Sequence, residues 1–353
     1  MHFDSDSRPV VRLNHLQDEV LDRGSAEDYA AVAAAAVNAQ VEYVREQQVP
    51  FWCERLAENG ITSGFSLDAW HRLPPMTKET LRAIPPWELV PKLNRRRISR
   101  CFGTSGTTGF PTFAMWSADD WHALAETMAR ALNERRPIAE IRALNGYHQA
   151  HTAGSAYDGA VRLLGGISIP RHYHLDDEEA TRAQLQLFHC NTLILAEHSG
   201  LHKSARAVED LLRFDAGFFA ACGIQWWIGS STTFTPRMRD IARSQGVREV
   251  TNLYGSSEFG IFGVSCVAQP QQFHLLLGHV LVEVVDDKGG PVSSGQRGRI
   301  LASLVFASRA EGGVGPHEGT QLLRFENGDH ATYLDGPCAC GLQSPRITEL
   351  TRS

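Results

Sequence analysis

The pattern of apolar and polar positions divides this chain into three stretches. The first, residues 1–98, is a helical lead-in. Ser25 to Gln48 reads as a helix: Ser25 can cap it, Glu27 and Asp28 suit the positive end of its dipole, and the alanine-rich body through Ala36 has high intrinsic propensity. A second helix is predicted over Phe51 to Glu58, stopped by Asn59-Gly60. Leu73-Pro-Pro-Met-Thr-Lys-Glu-Thr-Leu-Arg82 is a proline turn leading into a helix that Thr77 caps. Beyond this stretch, after the loop at 103–109, Ser117 to Asn133 is helical in pattern, with Ser117 as cap and Asp119 and Asp120 in the first turn.

The second stretch, 99–265, alternates apolar runs with helix-like segments. Ala160 to Ile169, Thr192 to Ala196, Gln225 to Ile228 and Val250 to Leu253 are predicted strands; Asp176 to Phe188, Lys203 to Phe214 and Pro236 to Gln245 are predicted helices. Such alternation implies an α/β fold with βαβ units on a mainly parallel sheet, whose ligands sit beyond the carboxyl ends of the strands. Gly229-Ser-Ser231 and Tyr254-Gly-Ser-Ser-Glu258 fall at two such ends. The third stretch, 266–353, carries few helical signals. Val280 to Val285 and Arg299 to Ala307 read as strands of a smaller β-rich subdomain, and Glu311 to Gly319 as a mobile loop beside it. Trp226 and Trp227 are expected in the sheet core.

Composition narrows the function. The chain has 353 residues, 42% of them hydrophobic, enough for a large core. A net charge of −6, with Arg95-Arg96-Arg97 the single basic tract, argues against nucleic acid as the main partner. That triplet reads as a solvated loop. No apolar run approaches a membrane span, and the N-terminus lacks a basic region followed by an apolar core, so the expected location is cytoplasmic. Seven cysteines in such a chain point to free thiols or metal ligands, not a disulfide frame.

All seven residues from Gly103 to Gly109 are Gly, Ser or Thr. Glycines let a loop turn its N–H groups towards an anion, and hydroxyls add donors, so this loop can cradle a polyphosphate. It is not a Walker A loop, because no Gly-Lys-Ser/Thr follows at the required spacing. Tyr254-Gly-Ser-Ser-Glu258 offers a flat ring to a nucleobase and a hard oxygen to Mg²⁺. Leu323-Arg-Phe-Glu-Asn-Gly-Asp329 ends in an acceptor-only carboxylate, although taken alone Asn327-Gly-Asp329 reads as a hairpin turn. Together and in this order, these segments resemble the motifs of the adenylate-forming superfamily, which joins acyl-CoA synthetases, luciferases and peptide-synthetase adenylation domains. Leu-Pro-x-Met-Thr-Lys78 and the Arg-Phe-x-x-Gly-Asp329 segment are similar to those of its phenylacetate–CoA ligase-like branch. One position departs: Phe110 stands where the family often has Lys.

The resemblance implies ATP-dependent conversion of an aromatic carboxylic acid to acyl-AMP, with ATP/AMP, Mg²⁺ and a structural Zn²⁺ as cofactors. Thr104, Ser105, Gly106, Thr107 and Thr108 would hold phosphates, with Thr104, Thr108 and Glu258 at the reacting centre and Glu258 on Mg²⁺. Gly229, Ser230, Ser231, Tyr254, Gly255 and Ser256 would contact the nucleoside; Asp329 would hold the ribose hydroxyls, and Arg352 would stand in for the hinge arginine. Tyr147 and His151, in Asn145-Gly-Tyr-His-Gln-Ala-His151, lie where the family shapes its acyl pocket. Cys266, His274, Cys338 and Cys340 supply soft ligands suited to tetrahedral Zn²⁺. The single residue between the last two is shorter than usual for a zinc site and leaves metal and free thiols both open; the resemblance implies the metal. Cys53, Cys101, Cys190 and Cys222 are expected as buried small hydrophobes.

The chain stops at Ser353, where the family continues into a small C-terminal domain carrying a lysine. Either the chain is a cut piece of such a protein or it is a natural one-domain enzyme; in length and motif style it resembles the truncated members of the branch, including the kind that serves phenazine antibiotic biosynthesis. The expectation is therefore formation of acyl-AMP without acyl-CoA, and transfer to a partner such as a reductase. The alternatives are acyl transfer to a protein thiol or carrier, and a catalytically silent nucleotide-binding subunit.

Overall fold

The computed structural model describes residues 24–61, 66–103, 111–171, 178–195, 217–230, 234–308 and 314–352. Contacts divide the chain into two compact units, Met128–Gly255 on one hand and Asn14–Thr127 with Ser256–Ser353 on the other. The boundaries at 98/99 and 265/266 follow sequence texture and do not coincide with this division. Residues late in the chain take their core partners from its start: Trp52 Nε1 donates to the Gln321 carbonyl at 2.8 Å, and Met76 bridges to Phe325.

In the discontinuous unit, α1 (Ala26–Glu46) starts at a full capping box between Ser25 and Asp28. Then come α2 (Pro50–Glu58), α3 (Leu67–Arg72) and α4 (Lys78–Ala83), the last capped by the Thr77 hydroxyl on Thr80 N at 3.2 Å. Two 3-10 turns, Pro86–Leu89 and Lys92–Arg97, lead to an antiparallel pair, β1 (Ile98–Gly103) and β2 (Phe113–Ser117). The arginine triplet is solvated as expected, with Arg97 also paired to Asp119 at 2.9 Å and Glu318 at 2.6 Å. Helix α5 (Ala118–Asn133) begins at Ser117, whose Oγ accepts Asp120 N at 3.1 Å.

The other unit is wound on a parallel sheet. The order along the chain is β3 (Arg142–Asn145), α6 (Thr152–Leu163), β4 (Ile167–Pro170), α7 (Glu178–Leu187), β5 (Thr192–Ile194), α8 (Phe218–Cys222), β6 (Trp226–Gly229), α9 (Pro236–Ser244) and β7 (Glu249–Ser256). In space the strands run β4-β3-β5-β6-β7, every pair parallel. The direction of winding reverses at β3, and an open α/β sheet holds ligands at such a point. Trp226 and Trp227 are fully buried on β6.

One predicted strand is corrected. Ala160 to Ile169 is the end of α6, a turn through Gly165 at φ +73°, and only then a strand. Ala156, Tyr157, Ala160 and Val161 are buried at helical spacing, and that period outweighs the short apolar run. The helix predicted over Lys203 to Phe214 lies outside the described residues.

The last strands are antiparallel: β8 (Gly260–Ser265), β9 (Phe273–Leu275), β10 (Val280–Val285), β11 (Arg297–Leu304), β14 (Phe325–Leu334) and β15 (Arg346–Arg352), in the order β10-β11-β14-β15-β9-β8, with a small pair β12 (Ala307–Ser308) and β13 (Val314–Gly315). The far end of the expected mobile loop Glu311 to Gly319 is a buried anchor instead. His317 and Asp120 are both fully shielded, 3.1 Å apart, and Asp120 accepts the N–H groups of Glu318 and Gly319 at 2.8 Å each. Asn327-Gly-Asp329 is no hairpin turn; it is an irregularity inside β14, where Arg299 faces His330 but Leu301 faces Glu326. Of the four cysteines expected in the core, Cys190 and Cys222 are buried and Cys53 half-buried, but Cys101 is exposed. The β1–β2 pair buries β2 and turns β1 to solvent.

Candidate functional site

Residues 104–110 lie outside the described residues, so Thr104, Ser105, Gly106, Thr107 and Thr108 are not placed. The stems of that loop are. Gly103 pairs with Phe113, and a Cβ at Gly103 would come within 2.9 Å of the Phe113 ring, so the stem closes tightly only with glycine. Thr112, on the far stem, donates its hydroxyl to Glu258 Oε1 at 3.1 Å, across 146 positions of sequence. The second carboxylate oxygen of Glu258 has no partner among the described residues.

Glu258 is 5% exposed and sits in the turn between β7 and β8. The turn is fixed by residues that no motif singled out. His279 Nε2 donates to the Phe259 carbonyl at 2.6 Å, which leaves Nδ1 facing the Thr127 hydroxyl at 3.1 Å. Gly260 has φ +72°, and a Cβ there would lie 2.3 Å from Leu124. His279 could have been found only by asking what holds the backbone after Glu258, since its partners are 20 and 152 positions away. Ser256 Oγ is buried without a hydrogen-bond partner among the described residues.

Asp329 and Arg352, predicted separately, are cross-strand partners in the β14–β15 ladder. Asp329 N donates to Asn327 Oδ1 at 2.9 Å and its Oδ2 accepts Asn327 Nδ2 at 3.1 Å, so the irregularity orients the carboxylate.

In the parallel unit, Gly229 and Ser230 close β6, and Tyr254 and Gly255, both half-buried, belong to β7. Ser231 is outside the described residues. Tyr147 follows β3, is 7% exposed, and its hydroxyl is engaged with Ser230. His151 is half-buried at the head of α6; burial and the neighbouring His148 both lower its pKa below the ordinary imidazole value.

Cys266, His274, Cys338 and Cys340 converge, their donor atoms all within 4.8 Å of one another. Cys266 Sγ is 3.4 Å from Cys338 Sγ, and Cys340 Sγ is 3.3 Å from His274 Nε2. Edges of roughly 3.3–3.8 Å are what a tetrahedron of about 2.0–2.3 Å metal–ligand bonds requires. The orientation also fits: His274 Nδ1 meets Ser344 Oγ at 2.9 Å, which fixes the ring with Nε2 towards the sulfurs. Gly341, at φ +90°, closes the knuckle after Cys340, and Gln269 N points at Cys266 Sγ at 3.4 Å. Burial pushes the Cys266 thiol up to about 11. Cys338 is desolvated as well, yet the N–H of Cys340 and the adjacent sulfurs hold it below the ordinary thiol value. Four protein donors and no open position make a structural rather than a catalytic set.

No protein-family model matches the chain. Structure comparison shows the fold. The chain superposes on 2-hydroxyisobutyryl-CoA ligase in an open conformation with 2-HIB-AMP and CoA, with a TM-score of 0.77 at 17% identity, covering 99% of this chain and 80% of that one. The same ligase in its postadenylation state gives 0.77 over 99% of this chain and 72% of that one. The fold is that of adenylate-forming ligases. Among proteins of known sequence, the chain is a homologue of phenylacetate–coenzyme A ligases. It is 30% identical to that of Thermus thermophilus over 320 residues, which is 87% of this chain and 66% of the relative, and 25% identical to that of Escherichia coli over 283 residues, 78% and 60% respectively. It thus spans less than two thirds of either relative's length. No helix among the described residues is long and apolar enough to cross a membrane.

Proposed function

We propose that this chain activates a carboxylic acid, an aromatic one, by attack of its carboxylate on the α-phosphorus of ATP, forming acyl-AMP and releasing pyrophosphate. The observation that carries the reading is the Thr112–Glu258 hydrogen bond: a buried carboxylate is tied to the stem of a Gly/Ser/Thr loop. Such a pair suits polyphosphate chemistry, where the protein positions the reactants and stabilises charge. Glu258 would hold Mg²⁺, which when bound neutralises charge on the phosphates. Thr104, Ser105, Gly106, Thr107 and Thr108 hold phosphate oxygens. Tyr254, with Gly229, Ser230, Ser231, Gly255 and Ser256, receives the nucleoside, Asp329 takes the ribose hydroxyls, and Arg352 lies beside it. His151 serves the acid. The aromatic substrate is supported by homology to ligases named for phenylacetate. An acyl-adenylate left in water hydrolyses, which supports its retention and transfer to a protein, a reductase in a phenazine-type pathway or a thiol-bearing acceptor.

The test is to incubate the purified chain with ATP, Mg²⁺ and a panel of aromatic acids, following pyrophosphate and acyl-AMP by mass spectrometry. Acid-dependent pyrophosphate is expected with at least one aryl acid. ATP binding without pyrophosphate for any acid would instead make the chain a silent nucleotide-binding subunit.

The four convergent ligands support a structural Zn²⁺ in the antiparallel region. Native protein washed with a mild chelator is expected to retain about one equivalent of zinc by elemental analysis. Cys340→Ser should lose it and melt lower by on the order of 10 °C, since metal bound only by the folded state is folding energy. Native protein free of metal, or a variant with unchanged metal content, would refute the site.

A further inference from the structure

β6 ends at Gly229, opposite Asn252, and the chain leaves the sheet there, so the ladder does not continue to Ser230. Buried N–H and C=O groups must be satisfied elsewhere, and here two side chains do it. The Tyr147 hydroxyl accepts the Ser230 N–H at 2.7 Å and donates to the Ser230 carbonyl at 2.9 Å. The Ser230 hydroxyl lies 3.1 Å from the same oxygen. A phenol has one donor and two acceptor positions, so Ser230 alone fills them. From the other side, Asn252 Nδ2 donates to the Gly229 carbonyl at 3.1 Å while its Oδ1 accepts Phe234 N at 3.1 Å. The Gly229–Ser230 peptide is therefore held by both its polar ends. Rotation of that peptide would break both contacts at once. Side-chain bulk at 229 is also excluded, because a Cβ would lie 2.4 Å from the Phe234 ring and 2.7 Å from the Leu195 carbonyl.

Tyr147 is itself fixed. Its N–H donates to Asn145 Oδ1 at 3.2 Å, and Asn145 Nδ2 donates to the Gly154 carbonyl at 2.8 Å. Its ring packs against that of the fully buried Tyr157 at 5.1 Å between centroids. Asn145 and Asn252 are both fully buried. Nothing in this arrangement leaves the Tyr147 hydroxyl a hydrogen bond to give to an acid. We infer that Tyr147 and Asn252 are positioning residues that lock the Gly229–Ser230 peptide in the orientation that receives the nucleoside, so that Tyr147 governs affinity for the nucleotide and not the choice of acid.

This inference rests on the adenylate-forming reading, and the experiment separates the two. In the full chain, Tyr147→Phe keeps the ring and removes the hydroxyl. The KM for ATP is expected to rise about tenfold, the size of one lost hydrogen bond to a buried group. At saturating ATP, kcat and the KM for the acid should stay within about twofold, because the acid and the reacting phosphate are not what the clamp holds. Amide exchange at Ser230, read by mass spectrometry without any ligand, should accelerate. Asn252→Ala should show the same split and the same faster exchange, which guards against an idiosyncratic effect of one variant. An unchanged KM for ATP in Tyr147→Phe, or a change in acid preference in its place, overturns the inference while the proposed function stands. A wild-type chain that binds no nucleotide defeats both.

Discussion

Arg324→Ala is expected to destabilise the protein by about 3–5 kcal/mol, the range for removing one partner of a buried charged network. The guanidinium is fully buried and donates to four main-chain carbonyls: Trp70 at 3.0 Å, His71 at 2.6 Å, Leu73 at 2.7 Å and Gly289 at 2.5 Å. Its Nε lies 3.4 Å from Glu283, whose other oxygen accepts Trp70 Nε1 at 3.1 Å. Burial raises the Glu283 pKa, and Arg324 opposes that shift, so the carboxylate depends on the cation beside it. Alanine would strip the guanidinium from the His71, Leu73 and Gly289 carbonyls, the Trp70 carbonyl keeping the Leu73 N–H at 3.0 Å, and would leave Glu283 to take up a proton. The same residue sits at φ +47°, a conformation held only because its contacts over-determine it. Its main chain joins two of the sequence motifs: Met76 N donates to the Arg324 carbonyl and Glu326 N to the Met76 carbonyl, each at 2.9 Å. Arg324→Lys keeps the charge but not the planar fork and should recover only part of the loss. The measurement is urea unfolding of the three proteins. An alanine variant within about 1 kcal/mol of wild type would show that the carbonyls find other partners.

What the sequence made legible, and what it hid, divides by the range of the forces involved. Helix starts are local events, and Ser25, Thr77 and Ser117 all cap helices as their positions predict. The apolar runs at Thr192, Gln225 and Val250 are strands because residues buried on both faces of a parallel sheet leave no alternation to misread. The stretch from Ala160 was misread for the same reason, since a short apolar run does not declare its period. The buried polar anchors were illegible. Asp120 reads as an ordinary first-turn acid, yet its oxygens accept N–H groups from residues 198 and 199 positions away, and that is a tertiary fact no local pattern encodes. The same holds for Arg324, and for the His279–Phe259 bond that steadies Glu258. The four metal-type ligands were legible one by one. Their convergence depends on antiparallel neighbours β8, β9 and β15, which bring residues 266, 274 and 338–340 to one end of the sheet.

Glu258→Gln is expected to leave the fold intact and to lower acid-dependent pyrophosphate release about 100-fold, or roughly 3 kcal/mol of transition-state stabilisation. Intact folding follows from the contacts. Thr112 can donate to an amide oxygen as it does to Glu258 Oε1, and the turn is held by His279 on the Phe259 carbonyl and by the Gly260 conformation, neither of which needs the charge. The loss in rate follows from electrostatics. Glutamine keeps the shape and one acceptor but removes the negative charge and a hard oxygen, the two properties by which a carboxylate holds Mg²⁺. Glu258 is itself only 5% exposed, so water does not replace the missing charge as it would on the surface. Two readouts separate this role from a structural one. Thermal unfolding of the variant should match wild type within a few degrees, and its residual activity should climb with Mg²⁺ concentrations at which wild type is already saturated. If Glu258 serves only to hold the loop stem through Thr112, glutamine keeps that bond, and the melting temperature, the rate and the magnesium dependence all stay those of wild type. Near wild-type rates across the whole magnesium range would remove Glu258 from the reacting centre and return the turn to a purely structural role.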